Sequence, residues 1–465
     1  MSKPKTKKNT KNKAKKRRGN SAEKKDIIMQ FLADPAANPS DKEIICELLH
    51  LTSEVEEWTG KGYTPPGSLL DKIVRRFEKH TDVSLDLPFF IALLLLSGIL
   101  VRDGVTVSIQ GNKTEIAIWL NLLCDSGAGK SYCLGKILES LQKGIARMNK
   151  PWSAKSLIWG GGAKSTAQFM REWAGYTNKD GEVLEESRNR SIMIIDEATD
   201  FFSDIKNPKS LRHDMYAHLL MAYGHESISH NTVSGGKITV EHPVISFLGL
   251  ATPERFIDQI SEADIEGGFY YRWANKRGDA SRSMVGHAIY PNNILDGIEE
   301  EWKKLVESIA HQEYIVSDAA IEHFKQSFDA MVSDESGKRM PRAYIRRTSW
   351  LHHKLALLYH LLLGCGGQRE IGVEPYLWAE RLSKTFTDTA AEIIQEKMHT
   401  ESRQLLARVE KLIARRAENG QDTTARDIVV NTKISTRDAE LYLKIARKPL
   451  PANREIPPAP PVPVG

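Results

Sequence analysis

The stretch Asn121-Leu122-Leu123-Cys124-Asp125-Ser126-Gly127-Ala128-Gly129-Lys130-Ser131-Tyr132 constrains this chain more than any other. The apolar run over 116–123 predicts a buried strand, and the spacing after Lys130 predicts a helix to about residue 148. A strand, a glycine-bearing turn and a helix start, in that order, aim backbone N–H groups at an anion. This is the layout of a phosphate-binding loop, in which Ser126, Gly127, Ala128, Gly129, Lys130, Ser131 and Tyr132 surround the phosphates of a nucleotide. Lys130 adds positive charge at the β- and γ-phosphates, and the Ser131 hydroxyl is a ligand for Mg²⁺. The full motif opens on a glycine, and Cys124 stands at that position.

Ser191-Ile192-Met193-Ile194-Ile195-Asp196-Glu197 is the second decisive stretch. Its apolar run predicts a central parallel strand, and its two carboxylates stand at the C-terminal end, where open α/β sheets bind ligands. With ATP as substrate, Asp196 holds Mg²⁺ through water and Glu197 orients the attacking water as general base. An acidic helix start after any buried strand gives the same letters. The order, glycine turn first and acidic strand later, is what a nucleotide site requires. That reading puts the two segments on adjacent strands facing one crevice. A third strand over 244–250 ends in Ala251-Thr252-Pro253, so Thr252 either sits beside the γ-phosphate or caps the helix that begins at Pro253.

Charge is distributed unevenly. Residues 1–19 hold ten Lys and Arg and no acid within a chain of net charge +5, which leaves the rest at −5. Residues 1–22 therefore predict a disordered basic tail able to hold nucleic acid electrostatically, while other contacts need local patches. Cys46, Cys124, Cys133 and Cys365 show neither zinc spacing nor a disulfide framework, as expected for a reducing cytoplasm. The most apolar segment, 87–101, falls short of the ~20 residues of a membrane span and predicts a buried helix.

Taken in order, 26–32, 42–51 and 69–80 have helical spacing, and with 87–101 they make a helical N-terminal region over 23–110. Strands follow at 105–109 and 115–124. A short strand at 156–159 runs into Gly160-Gly161-Gly162, either a strand-to-helix turn or a second backbone approach to a ligand. Helices are expected over 165–173 and 211–223, and Val233-Ser234-Gly235-Gly236 joins strands at 227–232 and 237–241 as a hairpin. The expected ATPase core spans 111–285 and a helical lid-like region 291–398. In that region Arg342-Ala343-Tyr344-Ile345-Arg346-Arg347 leads into an amphipathic helix, and Arg346 or Arg347 either reaches the nucleotide or starts a solvated helix. Residues 400–448 read as a helix followed by a helix-turn-helix, with Lys433, Arg437 and Lys444 on or beside its second helix. A Pro-rich tail covers 449–465.

These motifs, with Ala222-Tyr223-Gly224 to Pro243, Phe247-Leu248-Gly249-Leu250-Ala251-Thr252-Pro253 and Gly268-Phe269-Tyr270-Tyr271-Arg272, carry a resemblance over roughly residues 87–363. The chain resembles an uncharacterised family of P-loop ATPases of prophages, plasmids and integrative elements, often labelled primase–helicase. More widely it resembles the AAA+ and superfamily-three helicase group. The resemblance implies an α/β P-loop core with a parallel sheet, a homo-oligomeric ring of six, ATP at subunit interfaces and single-stranded DNA in the channel. It implies that Arg272 is a finger reaching a neighbour's γ-phosphate, where spacing alone would make it an arginine stacked among aromatics. It also implies that Lys237, on the hairpin, meets DNA at the pore. Primase activity is not implied, since no zinc-ligand spacing or second acidic cluster is present. The expected function is a Mg²⁺-dependent, DNA-stimulated ATPase acting as a helicase in replication of a phage or mobile element. The alternative is an ATP-switched initiator or regulator that binds DNA without unwinding it. A weaker third reading is an ATPase of phage packaging or anti-phage defence.

Overall fold

The computed structural model describes residues 63–160, 162–177, 183–232, 236–261, 264–265, 267–278, 290–334, 340–418 and 421–447. The basic tail, the segments 26–32 and 42–51, the hairpin tip 233–235 and the Pro-rich tail lie outside them. The described residues fall in two compact units, one ending at Ile394 and one beginning at Gln395.

The first unit opens with α1 (Leu69–His80), capped by the Ser68 side chain accepting from the Asp71 amide, and α2 (Asp86–Asp103). Strands β1 (Thr106–Ile109), β2 (Asn112–Glu115) and β3 (Trp119–Leu123) lead to α3 (Lys130–Ala146). A one-turn helix α4 (Ala154–Leu157), β4 (Ile158–Gly160), α5 (Thr166–Ala174), the short pair β5 (Tyr176–Thr177) and β6 (Val183–Glu185), and β7 (Arg190–Ile195) follow. Next come α6 (Ala198–Lys206), α7 (Met215–Tyr223), the hairpin β8 (Ile228–Thr232) and β9 (Gly236–Val240), β10 (Val244–Ala251), α8 (Pro253–Gln259) and β11 (Ala274–Arg277). The remainder is α9 (Ile298–Glu307), β12 (Glu313–Val316), α10 (Asp318–Ser333), α11 (Arg342–Leu362), β13 (Glu370–Ile371) and the 46-residue α12 (Val373–Glu418).

The fold is mixed α/β around a five-stranded parallel sheet of order β11-β3-β10-β7-β4. The central strands are mostly apolar because both faces are covered. Leu120, Leu122, Ile192, Ile194, Leu248 and Leu250 join the core on the side of α1, α2 and α3. The alternate residues Trp119, Leu123, Met193, Ile195, Phe247 and Ala251 join an aromatic-rich core on the other side. The expected helix at 87–101 is α2, buried along its whole length against β7 and β10. Its approach is so close that a Cβ on Gly98 would lie 1.9 Å from Ile192 Cγ1, so only glycine fits. Among the described residues no helix is long and apolar enough to cross a membrane.

Two expectations change. The strand expected over 115–124 is shortened to β3 at 119–123, and the turn expected at 111–113 falls largely within β2. β2 pairs antiparallel with β1 in a second sheet of order β13-β12-β1-β2, while β3 belongs to the parallel sheet. The chain crosses between sheets at 116–118, residues apolar enough to read as one continuous strand. Residues 291–398 are not wholly helical, since β12 pairs parallel with β1 and β13 with β12.

The second unit contains the end of α12, α13 (Ala425–Thr432) and α14 (Thr436–Arg447) around Val409, Ile428, Ala439 and Tyr442. Thr424 forms a capping box with Asp427, and Lys433 takes a left-handed conformation at φ 62° that ends α13 and sets the turn into α14. Lys433, Arg437 and Lys444 are exposed.

Candidate functional site

All five parallel strands deliver their C-terminal ends to one edge, and Lys130, Ser131, Asp196, Glu197 and Thr252 lie there. After β3 the chain turns through Gly127 and Gly129, at φ 81° and 79°, values that a side chain would strain. Gly129 then starts α3, so the amide ends of the first helical turn face outward with Lys130 and Ser131. The Lys130 ammonium folds back over the turn and donates to the carbonyls of Cys124 at 2.7 Å and Asp125 at 3.0 Å.

Cys124, at the place of the missing glycine, ends the strand rather than entering the turn. Its amide donates to Ala251 O at 3.0 Å, and its thiol is 2.4 Å from where a Cβ on Gly278 would stand. The side chain is thus buried against Gly278, and only its carbonyl meets Lys130. Burial pushes the thiol up to about 12, which makes it inert.

The adjacency expected of the two segments does not hold: β10 lies between β3 and β7. The physical requirement is a shared crevice, and one interposed strand separates its neighbours by only about 10 Å, which side chains span. The Ser131 hydroxyl donates to Asp196 Oδ2 at 3.0 Å. Thr252 ends the interposed strand between them, half-buried. It occupies the cap position of α8, yet its side chain makes no capping bond. Ser126 is exposed at the turn, and Ala128 packs back on the core. Tyr132 faces away, its hydroxyl donating to Pro291 O at 2.8 Å and its ring against Phe77 and Tyr290, so it anchors α3.

Glu197 follows β7 at φ 59°, ψ 51°, a left-handed conformation unusual for a glutamate and of a kind that clusters at functional sites. Its carboxylate pairs with Arg255 Nη1 at 3.3 Å, and the same guanidinium also binds Asp200. Sequence reasoning missed Arg255. The available signal was a cation in the first turn of α8, unfavourable for the helix dipole without an acidic neighbour. Beside the pair opens a cleft of about 640 Å³ lined by Gly160, Gly162, Asp196, Glu197, Asp200 and Asp204, so the glycine run borders the site.

Arg272 lies elsewhere. It ends a single 3₁₀ turn just before β11, at the opposite, N-terminal edge of the sheet. Its Nη1 donates to Gly268 O at 2.7 Å and its guanidinium stacks 5.4 Å from the Tyr223 ring. Desolvation, with the nearby charge of Arg347, lowers its pKa. Arg347 is beside it rather than at the glycine turn, because α11 runs along that N-terminal edge, while Arg346 is exposed. Neither reaches this chain's own turn. Lys237 is exposed on β9 opposite Asn231.

Among the described residues no group of three or more His, Cys, Asp or Glu is arranged to hold a metal. A hydroxyl and a carboxylate 3.0 Å apart do fit a hard cation that keeps most of its water and shares phosphate oxygens. No protein-family model and no curated protein matches the chain.

Proposed function

We propose that the chain is a Mg²⁺-dependent ATPase of P-loop type that works as a homo-oligomer on DNA, as a helicase or helicase-like replication protein. One observation carries the reading: Ser131 and Asp196 meet at 3.0 Å across an interposed strand, at the edge where a glycine turn opens a helix. A hydroxyl, a carboxylate and an ammonium at one edge support a triphosphate bound against all three.

In this reading Lys130 and the turn amides bind the phosphates, and Ser131 and Asp196 hold Mg²⁺. The bound ion supplies positive charge that polarises the γ-phosphoryl group. Glu197 accepts a proton from a water as its oxygen bonds the γ-phosphorus, and the bond from that phosphorus to the β–γ bridging oxygen breaks to release ADP. Thr252 orients the same water. Arg272 serves a neighbouring copy, since it faces away from its own turn. The exposure of Lys237 on its hairpin and of Lys433 and Arg437 on the three-helix unit supports contacts with DNA phosphates. Two helices joined by a short turn at 433–435 support a helix-turn-helix role for that unit.

The test is ATP turnover with and without single-stranded DNA, followed by strand displacement. Stimulation with unwinding is expected. Duplex binding with DNA-indifferent turnover would favour the initiator or regulator, and absence of any turnover would overturn the ATPase reading.

A further inference from the structure

Three helices of the first unit, α10, α11 and α12, border a cavity of about 430 Å³. None of the residues of the sheet-edge site lines it. His352 of α11 and Ser383 of α12 do, and they are 0% and 1% exposed. Both ring nitrogens of His352 and the Ser383 hydroxyl are buried without a hydrogen-bond partner of ordinary geometry. Buried polar groups are normally paired, and an unpaired one costs its full desolvation. Three such atoms bordering one cavity, together with its size, mark a place for a polar ligand.

Which ligand follows from who can donate. Burial keeps the His352 imidazole neutral, and the Tyr376 backbone favours an N–H on one nitrogen, which leaves the other as an acceptor. Thr387 donates its proton to the Ser383 carbonyl at 3.1 Å, so its oxygen can accept from the cavity. Asp334, Glu380 and Asp388 add three carboxylates to the lining. Lys384, the one ammonium among the described lining residues, is spent on Asp334 at 2.8 Å and Asp388 at 3.6 Å, and Glu380 meets His323 at 3.1 Å. Acceptors therefore outnumber donors, and carboxylates outnumber ammoniums three to one. A phosphate would find no unspent cation there. A nucleobase would find no open aromatic face, because the one ring in the lining, His352, is flanked by Phe324 and Tyr376. The matching ligand is positively charged and rich in N–H groups.

Shape narrows it further. Glu380, Ser383, Thr387 and Asp388 form one stripe along α12, and its two carboxylates stand eight residues, about 12 Å, apart along the axis. Ala330 and Met331 of α10 give the cavity an apolar wall. A flexible chain of methylenes with ammonium groups along it fits charges so spaced. We propose that this cavity binds a linear polyamine, its ammonium groups on Glu380, Asp388 and the His352–Ser383 acceptors and its methylenes against Ala330 and Met331. The site is independent of the ATPase reading.

The test is calorimetric titration of the full chain with spermidine at physiological salt. One saturable site per chain is expected, with a rise in melting temperature, since a ligand that joins three helices binds only the folded state. Asp388→Asn keeps the shape and removes the charge, and it is expected to weaken binding roughly 10- to 100-fold, the range of a charge-assisted hydrogen bond. Ser383→Leu puts a larger side chain into the cavity and is expected to abolish binding. A readout at the site itself comes from isotope-labelled histidine. The ring-nitrogen resonance of His352, assigned by its loss in His352→Phe, is expected to shift as spermidine is added. Absence of a saturable site, equal affinity in wild type and Asp388→Asn, or an unmoved His352 resonance overturns the proposal. Equal binding of a neutral diol of the same length also overturns it, since the cavity would then select an apolar chain and not a cation.

Discussion

Glu197→Gln separates chemistry from folding, and the geometry says by how much. Among the described residues the carboxylate's one charged partner is Arg255, and the two side chains are 55% and 54% exposed. A pair so open to water is worth about 0–1 kcal/mol, so the amide should change stability by no more than that. The left-handed backbone is equally available to both residues, since glutamine and glutamate have the same branching. Nucleotide affinity should hold within a few-fold, because Lys130, Ser131 and the turn amides are untouched. The amide cannot accept the proton of the attacking water, so kcat should fall roughly 10²–10⁴-fold, the usual contribution of a general base. The assays are urea unfolding, equilibrium binding of a fluorescent ATP analogue and steady-state phosphate release. Wild-type turnover by a folded Glu197→Gln protein would remove Glu197 as the base. A collapse in stability would show that the carboxylate serves the fold.

Other outcomes follow from the same structure. Lys130→Ala should lose nucleotide affinity at least ~10²-fold in the binding assay, since a charge-assisted contact to phosphate, together with the buried partner it leaves unpaired, is worth several kcal/mol. Arg255→Ala frees the Glu197 carboxylate from a competing cation, and basal turnover should rise about 1.4- to 5-fold, the equivalent of 0.2–1 kcal/mol, with KM unchanged. Gly98→Val forces a side chain onto Ile192 and should cost at least about 3 kcal/mol in urea unfolding, at the upper end of core overpacking. His352 is fully buried in α11, with no hydrogen-bond partner of ordinary geometry for either ring nitrogen, and burial lowers its pKa to about 3. A depressed histidine pKa means that the unfolded chain binds the proton more readily. The stability it permits is complete above about pH 6.5 and is lost as pH falls towards 3, by about 2 kcal/mol at pH 5. His352→Phe, placed against Phe324 and Tyr376, should flatten the pH 7-to-5 difference in urea midpoint by that amount.

The strands and turns of the parallel sheet were legible because their signals are local. An apolar run broken by Gly127 and Gly129 can only be a buried strand meeting a tight turn, and Ile192–Ile195 ending on two carboxylates marks a strand's exposed end. Helix caps are equally local: Ser165, Ser317 and Thr424 each accept from an amide three residues on. The break at 116–118 was not. Residues 116–118 are apolar and run straight into β3, and whether they extend that strand depends on which sheet the preceding Asn112–Glu115 finds.

Sequence alone determined which residues carry charge, hydroxyl and carboxylate at the ends of strands, because those follow from composition and a two-residue period. Only the tertiary structure decided who meets whom. Strand order rests on contacts between residues far apart in the chain, such as that of α2 through Gly98 with Ile192 of β7. That order inserts β10 between the glycine turn and the acidic strand, yet brings Ser131 to Asp196. It also sends Arg272 and Arg347 to the opposite edge, away from that site.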